Sequence, residues 1–157
     1  MIINSVGKTN EWYTPKFIFD DFNTAFDLDV CSPKSGKDFV PAKNKIILPN
    51  DGLKENWEGF IWMNPPFGGR NGYFPWIEKF IQHGNGIGLI TALTSSKGFQ
   101  DYIPQMDYIL FPRGKTKFID EFGNIGKDPQ TGIVIFSIGD KGNEILRKSK
   151  LGMVLKV

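Results

Sequence analysis

The chain has one cysteine, Cys31, and one histidine, His83, among 157 residues. A lone thiol cannot build a disulfide framework or a multi-thiolate metal site. A lone imidazole argues against a histidine-based metal site or a Ser/His/Asp triad, so no metal is expected. No run of 18 apolar residues occurs, so no transmembrane helix and no membrane partner are expected. The first ten residues, Met1 to Asn10, carry no apolar stretch leading to a small-residue cleavage site. No signal peptide is therefore expected, and the cytoplasm is the expected location. Low hydrophobicity combined with high net charge is also missing: 40% of residues are hydrophobic and the net charge is +2. A disordered main state is excluded on that ground.

What is abundant is aromatic. Phe, Trp and Tyr make up 14% of the chain. Some must fill the core, and others are candidates to stack on flat ligands such as nucleobases. Trp57, Trp62 and Trp76 are assigned to the core. The charge is unevenly spread. Residues 1–78 hold 8 Lys/Arg and 10 Asp/Glu, and residues 79–157 hold 11 and 7. The net charge is thus −2 in the first part and +4 in the second. Arg113, Lys115 and Lys117 form the densest basic segment. No repeat, low-complexity tract or linker divides the sequence, and one domain spanning 1–157 is expected.

Thr14-Pro15 reads as a helix start, with Thr as the N-cap and Pro at the first helical position. An apolar stripe from Phe17 to Phe26 supports the helix. Short strands are expected at 27–31 and 45–48, around a polar loop at 32–44. Gly59–Met63 is an unbroken apolar run, as in a strand buried on both faces. It stops at Asn64-Pro65-Pro66-Phe67, because prolines cannot continue a central strand. A helix follows at 74–83, ended by Gly84. His83, at its C-terminus, suits the helix dipole rather than catalysis. Further strands are expected at 86–94, 107–111, 133–138 and 153–157, and short helices at 97–103 and 143–148. This alternation predicts an α/β fold: a mostly parallel twisted sheet with helices on both faces. Ligands in such sheets bind at the carboxyl ends of the strands, where the Asn64–Phe67 loop lies.

Two prolines fix that loop. The Asn64 side-chain oxygen and the Pro65 carbonyl are acceptors on a stiff turn, and Phe67 offers a flat apolar face. Converging acceptors suit a planar amino group with two hydrogens to donate. Accepting both draws the nitrogen out of conjugation and makes it a better nucleophile, with no histidine base required.

The chain resembles the S-adenosylmethionine-dependent amino-methyltransferases, whose signature is Asp/Asn/Ser-Pro-Pro-Tyr/Phe at a strand end. More narrowly, it resembles the small phage-type, Dam-like DNA N6-adenine methyltransferases from about Glu11 to Gly139. The matching pieces are Trp12-Tyr13-Thr14-Pro15, Asp29-Val30-Cys31-Ser32, Asp51-Gly52-Leu53 with Trp57, and Trp62-Met63-Asn64-Pro65-Pro66-Phe67. Gly114 with Phe118 and then Gly132–Phe136 follow in order.

The resemblance implies a Rossmann-like methyltransferase fold and S-adenosylmethionine as cofactor. It implies double-stranded DNA as partner, with the target adenine flipped out. Asn64, Pro65 and Phe67 would hold and stack that adenine, and Pro66 would fix the turn. Asp29, Thr14 and Pro15 would lie near the methionine end of the cofactor. Trp12 would line the site, and Asp51 would contact the cofactor's adenine. Asp38 is the nearest acidic candidate for the ribose. Arg70, Arg113, Lys115 and Lys117 would face DNA. A phage restriction-avoidance or restriction-modification setting is implied by resemblance alone. The family's Gly-x-Gly turn is reduced to the single Gly36.

With no separate target-recognition domain, recognition falls to loops 68–72, 95–104 and 112–131 or to a partner subunit. The oligomeric state stays open, a homodimer included. Two alternative readings stand beside this one. The first is methylation of another planar amine, an RNA base or a protein glutamine. The second is a degenerate, non-catalytic DNA-binding module with the same fold.

Overall fold

In the computed structural model, residues 12–35, 37–66, 72–127 and 129–157 are described. Strand β1 (Trp12–Tyr13) leads to helix α1 (Lys16–Phe22), strands β2 (Phe26–Ser32) and β3 (Ala42–Ile47), and strand β4 (Ile61–Met63). Helix α2 (Phe74–His83), strand β5 (Gly86–Thr91) and helix α3 (Lys97–Tyr102) follow. Strands β6 (Tyr108–Pro112), β7 (Ile119–Asp120) and β8 (Ile133–Ile138), helix α4 (Asp140–Lys148) and strand β9 (Gly152–Lys156) complete the order.

Seven strands form one sheet in the order β3-β2-β4-β5-β8-β6-β9. The pairs β2–β3, β2–β4 and β4–β5 are parallel. The pairs β5–β8, β6–β8 and β6–β9 are antiparallel. The expected mostly parallel sheet is therefore corrected to a mixed one, parallel only on one side. The physical reason lies in the connections. Crossovers, irregular from β2 to β4 and helical through α2, return each early strand in parallel, whereas β8 enters between β5 and β6 in the reverse sense. Because β5 and β6 both run against β8, they run alike. The carboxyl ends of β2, β3, β4, β5 and β6 thus share one edge.

Alternation along the strands divides the core between two faces. Ile61, Met63, Ile90, Val134 and Phe136 meet Trp76, Ile77 and Phe80 of α2 and Phe99 of α3. Trp62, Ile87, Leu89, Ile133 and Ile135 meet Ile18, Phe19 and Phe22 of α1 and Leu146 of α4. Helices cover both faces, as the sequence pattern implies. Trp57, Trp62 and Trp76 are all buried. Trp62 lies edge-on to Phe19 with centroids 4.9 Å apart. Each such side chain contributes roughly 1.5–3 kcal/mol through burial.

Helix α1 starts differently from its sequence signal. Pro15 occupies the N-cap, and no side chain caps the helix. The Thr14 hydroxyl is turned elsewhere, as described below. Ser96 does cap α3, accepting from the Phe99 N–H at 3.2 Å. No helix among the described residues is long and apolar enough to cross a membrane.

A candidate active site at the strand carboxyl edge

The site begins with Asn64, the first residue beyond β4. It is 2% exposed, and its Nδ2 donates to the Thr14 Oγ1 at 3.0 Å. This buried bond joins positions 50 residues apart. It also orients the amide, because the nitrogen end is committed to Thr14. Pro15 and Pro65 are buried and Pro66 is half-buried. Phe67 and Arg70 lie outside the described residues.

Beside Asn64, across the β2–β4 pairing, Asp29 sits in register with Trp62. Asp29 is 1% exposed, and burial pushes its carboxyl up to about 6 from an ordinary 3.8. The nearby Asp38 charge pushes the same way, while the Cys31 N–H and Lys45 pull back. The Cys31 N–H donates to Asp29 Oδ1 at 3.2 Å. Burial likewise raises the Cys31 thiol, and the charges of Asp29 and Asp51 add to it. Asp29, Cys31 and Asp51 therefore share one neighbourhood.

Asp51 reaches it because Gly52 lets the backbone approach β2. A Cβ at Gly52 would lie 2.1 Å from the Val30 carbonyl oxygen. No larger residue fits there. Two further groups clamp this loop. Trp57 Nε1 donates to the Gly52 carbonyl at 2.8 Å. Lys79 Nζ donates to the Gly52 carbonyl at 3.0 Å and the Leu53 carbonyl at 2.9 Å, and sits 4.9 Å from the Trp57 ring centre. Burial lowers the Lys79 ammonium below its ordinary value, with Asp51 and Glu55 opposing. Lys79 escaped sequence reasoning, since nothing in its helical position marks it as a loop clamp.

Asp38 is bound up in structure rather than turned to a ligand. Its carboxylate accepts from Ser32 Oγ at 3.0 Å, Val40 N–H at 2.7 Å and Lys45 Nζ at 2.8 Å. His83 Nε2 lies 2.8 Å from the Gly59 carbonyl oxygen, also a structural contact.

The second wall is a small two-stranded sheet, with the turn that follows it, that the sequence pattern does not reveal as strands. Strand β1 pairs antiparallel with β7, Trp12 opposite Asp120 and Tyr13 opposite Ile119. The Gly126 N–H donates to the Phe118 carbonyl at 2.8 Å. Asp120 closes the turn by accepting from the Phe122 N–H at 2.9 Å and the Asn124 N–H at 2.8 Å. Trp12 packs on Gly126, and its buried Nε1 has no hydrogen-bond partner among the described residues. Phe122 and Ile125 project outward, 74% and 70% exposed.

The basic stretch after β6 leads into β7 of this small sheet. Thr116 and Phe118 are buried, while Arg113, Lys115 and Lys117 face outward. Alternating burial therefore roots the segment and presents its cations at the carboxyl edge.

Two clefts lined by described residues open elsewhere, at the amino edge. The larger, about 630 Å³, lies among Asp107, Asn143, Glu144, Arg147 and Lys156. A cleft of about 500 Å³ lies beside Asn23, Phe39 and Pro41. Volume does not locate the chemistry here, because the main polar groups of the larger cleft satisfy one another. Asp107 Oδ2 accepts from the Gly139 N–H and Asn143 Nδ2, and Asn143 Oδ1 accepts from Ser137 Oγ.

A family model described as DNA N-6-adenine-methyltransferase (Dam) matches residues 4–138. No curated protein and no solved structure matches the chain significantly. The matched segment spans β1 to β8 and contains Thr14, Asp29, Asp51 and Asn64, and on that match the chain belongs to the Dam family of DNA N6-adenine methyltransferases.

Proposed function

We propose that this chain transfers a methyl group from S-adenosylmethionine to N6 of an adenine flipped out of double-stranded DNA, in a Rossmann-like methyltransferase fold and a phage or prophage setting. The observation that carries the reading is the buried Thr14–Asn64 bond, which holds the Asn-Pro-Pro corner at the end of β4 beside the buried Asp29. S-adenosylmethionine supplies an activated methyl group on a sulfonium centre. The residues present suit such a donor. Asp29 is a carboxylate whose charge burial disfavours, so a cationic ammonium at the strand end would relieve it. Trp12 offers a buried indole N–H awaiting an acceptor. Asp51 and Pro15 complete the wall against the cofactor.

Asn64 Oδ1 and the Pro65 carbonyl accept the two hydrogens of the adenine amino group. The nitrogen lone pair would then point toward a methyl carbon presented by the bound donor, the N–C bond forming as the S–C bond breaks to release a neutral thioether, and both acceptors would stabilise the positive charge on nitrogen until its extra proton passes to water. Pro66 holds the corner, and Phe67 stacks on the base. Since Thr14 engages the amide nitrogen, the oxygen keeps its orientation without reorganisation. Arg113, Lys115, Lys117 and Arg70 contact DNA phosphates.

The test is Asn64→Ala, assayed with radiolabelled cofactor and unmethylated DNA. Methyl transfer should fall by about a hundredfold or more, on the scale of a lost preorganised group. Calorimetry should show cofactor affinity within a few-fold of wild type. Near-normal turnover would remove the mechanism. Equal incorporation into RNA or protein would favour the alternative amine substrates, and absence of cofactor binding would favour the non-catalytic module.

A further inference from the structure

Residues 51–55 make one turn between β3 and β4, and Asp51 starts it. The Lys54 and Glu55 N–H groups donate to the Asp51 carbonyl at 2.8 and 3.0 Å, and the Leu53 N–H donates to Asp51 Oδ1 at 3.0 Å. The turn itself therefore sets the direction of the Asp51 carboxylate. A single turn is weak on its own, because it fixes several backbone dihedrals for few bonds and leaves its last carbonyls without donors.

Donors for those carbonyls come from α2. The Lys79 ammonium has three hydrogens to donate, and the Gly52, Leu53 and Glu55 carbonyls take them. A cation also suits the carbonyl end of a turn. The Trp57 ring adds a cation–π contact, and it stacks on Trp76 of the same helix with centroids 6.4 Å apart. With its three hydrogens committed to backbone, Lys79 has none left for a ligand. Asp51 is placed differently. Its Oδ1 is engaged by the turn, while Oδ2 keeps a loose surface pair with Lys54 at 3.7 Å, worth little. The near end of the turn is pinned on β2 where Gly52 meets the Val30 carbonyl. The far end, held by Lys79, is thus what is left to aim the carboxylate.

We infer, resting on the function proposed above, that Lys79 is a positioning residue for cofactor binding: it holds the far end of the turn and so aims Asp51 Oδ2 at the exocyclic amino group of the donor's adenine. Lys79 itself touches neither substrate nor cofactor. Removing its ammonium leaves the Gly52 carbonyl bonded to Trp57 Nε1 and opens the Leu53 and Glu55 carbonyls to water. The turn then loosens while the sheet stays folded, and the loss falls on the cofactor rather than on the Asn64 corner.

Calorimetry with S-adenosylmethionine on the full chain tests this as a double-mutant cycle. Lys79→Met keeps the apolar stem and loses the donors, and it should weaken cofactor binding by about tenfold. Asp51→Asn should weaken binding comparably, and adding Lys79→Met to it should change the affinity by less than about twofold further. In turnover, the Lys79→Met loss should appear in KM for the cofactor, with kcat at saturation and KM for DNA little changed. A lysine that only supports the fold would weaken binding by the same factor in both backgrounds, or lower kcat and raise both KM values together. Should Lys79→Met unfold, Lys79→Gln, which keeps two N–H donors, enters the same cycle, with a loss of about threefold expected only where Asp51 is intact. Unchanged cofactor affinity in the folded variant, or losses that multiply in the double variant, would overturn the inference alone when the wild type binds cofactor normally. A wild type that binds no cofactor would overturn the proposed function and this inference with it.

Discussion

Strand β2 carries two aspartates two positions apart, and the fold treats them in opposite ways. Asp27, near the amino end, is partly exposed. It accepts from the Phe60 N–H at 2.8 Å and from Lys43 Nζ at 2.9 Å. The Phe60 N–H, then Lys43, hold its carboxyl below the ordinary range. Asp29, two positions on, is buried and pushed up to about 6. The first is a staple that ties β2 to the entry of β4. The second is held where its charge is disfavoured, at the edge where Asn64 lies. Identical residues in one strand thus differ by burial: Asp27 already holds the Lys43 ammonium at the surface, whereas a cation bound beside Asp29 would relieve its buried charge.

The largest effect expected on this contrast comes from Asp29→Asn. Between pH of about 3.8 and about 6 the folded chain keeps a proton that the unfolded chain has released. This group's contribution therefore falls as pH rises through that window and stays low above it. At pH of about 8 the ionised form costs roughly 3 kcal/mol. Asp29→Asn should recover much of that in urea denaturation at about pH 8 and nothing at about pH 3.5, while losing cofactor affinity. Wild-type cofactor binding, measured calorimetrically, should tighten as pH rises through about 6. A variant that is less stable at both pH values would break the comparison.

Thr14→Val sharpens it on the Asn64 side. Removing the hydroxyl leaves the Asn64 nitrogen without that acceptor. We expect about a tenfold fall in kcat and about 1–2 kcal/mol of lost stability, with KM for DNA little changed. An equal fall in kcat and in DNA affinity would deny Thr14 a positioning role.

Arg113→Gln with Lys115→Gln addresses the basic segment proposed to face DNA. The slope of log affinity against log salt should drop by about two, with cofactor binding unaltered. An unchanged slope would remove both residues from the interface.

The smallest effect belongs to Asp27→Asn. A depressed carboxyl stabilises the fold above its unfolded value of 3.8 and loses that contribution as pH falls through its folded one. The variant should therefore show a shallower acid loss of melting temperature and normal methyl transfer. Reduced transfer would show that the amino end matters to the site after all.

Much of this was legible in the chain. Unbroken apolar runs such as Gly59–Met63 and Ile133–Ile138 marked strands covered on both faces, because burial leaves no polar alternation to read. Pro65-Pro66 marked the stop that creates the site. Thr14 was readable as a helix cap but proved to be a side-chain partner of Asn64, since a local signal cannot report a contact across 50 residues. The reversed direction of β8 was not legible, because strand sense follows from connections rather than composition. Nor was the β1–β7 pairing, whose strands are two residues each, too short for any periodicity. Asp27 and Asp29 were indistinguishable by type, and only burial separated them.

The most direct measurement is a map of N6-methyladenine in the DNA of cells expressing this chain or its Asn64→Ala variant. Methylated adenines at a defined sequence context with the wild type, and none above background with the variant at equal expression, is the result expected. The same methylation pattern from both proteins would contradict the assignment of the reacting amine to the Asn64–Pro65 corner.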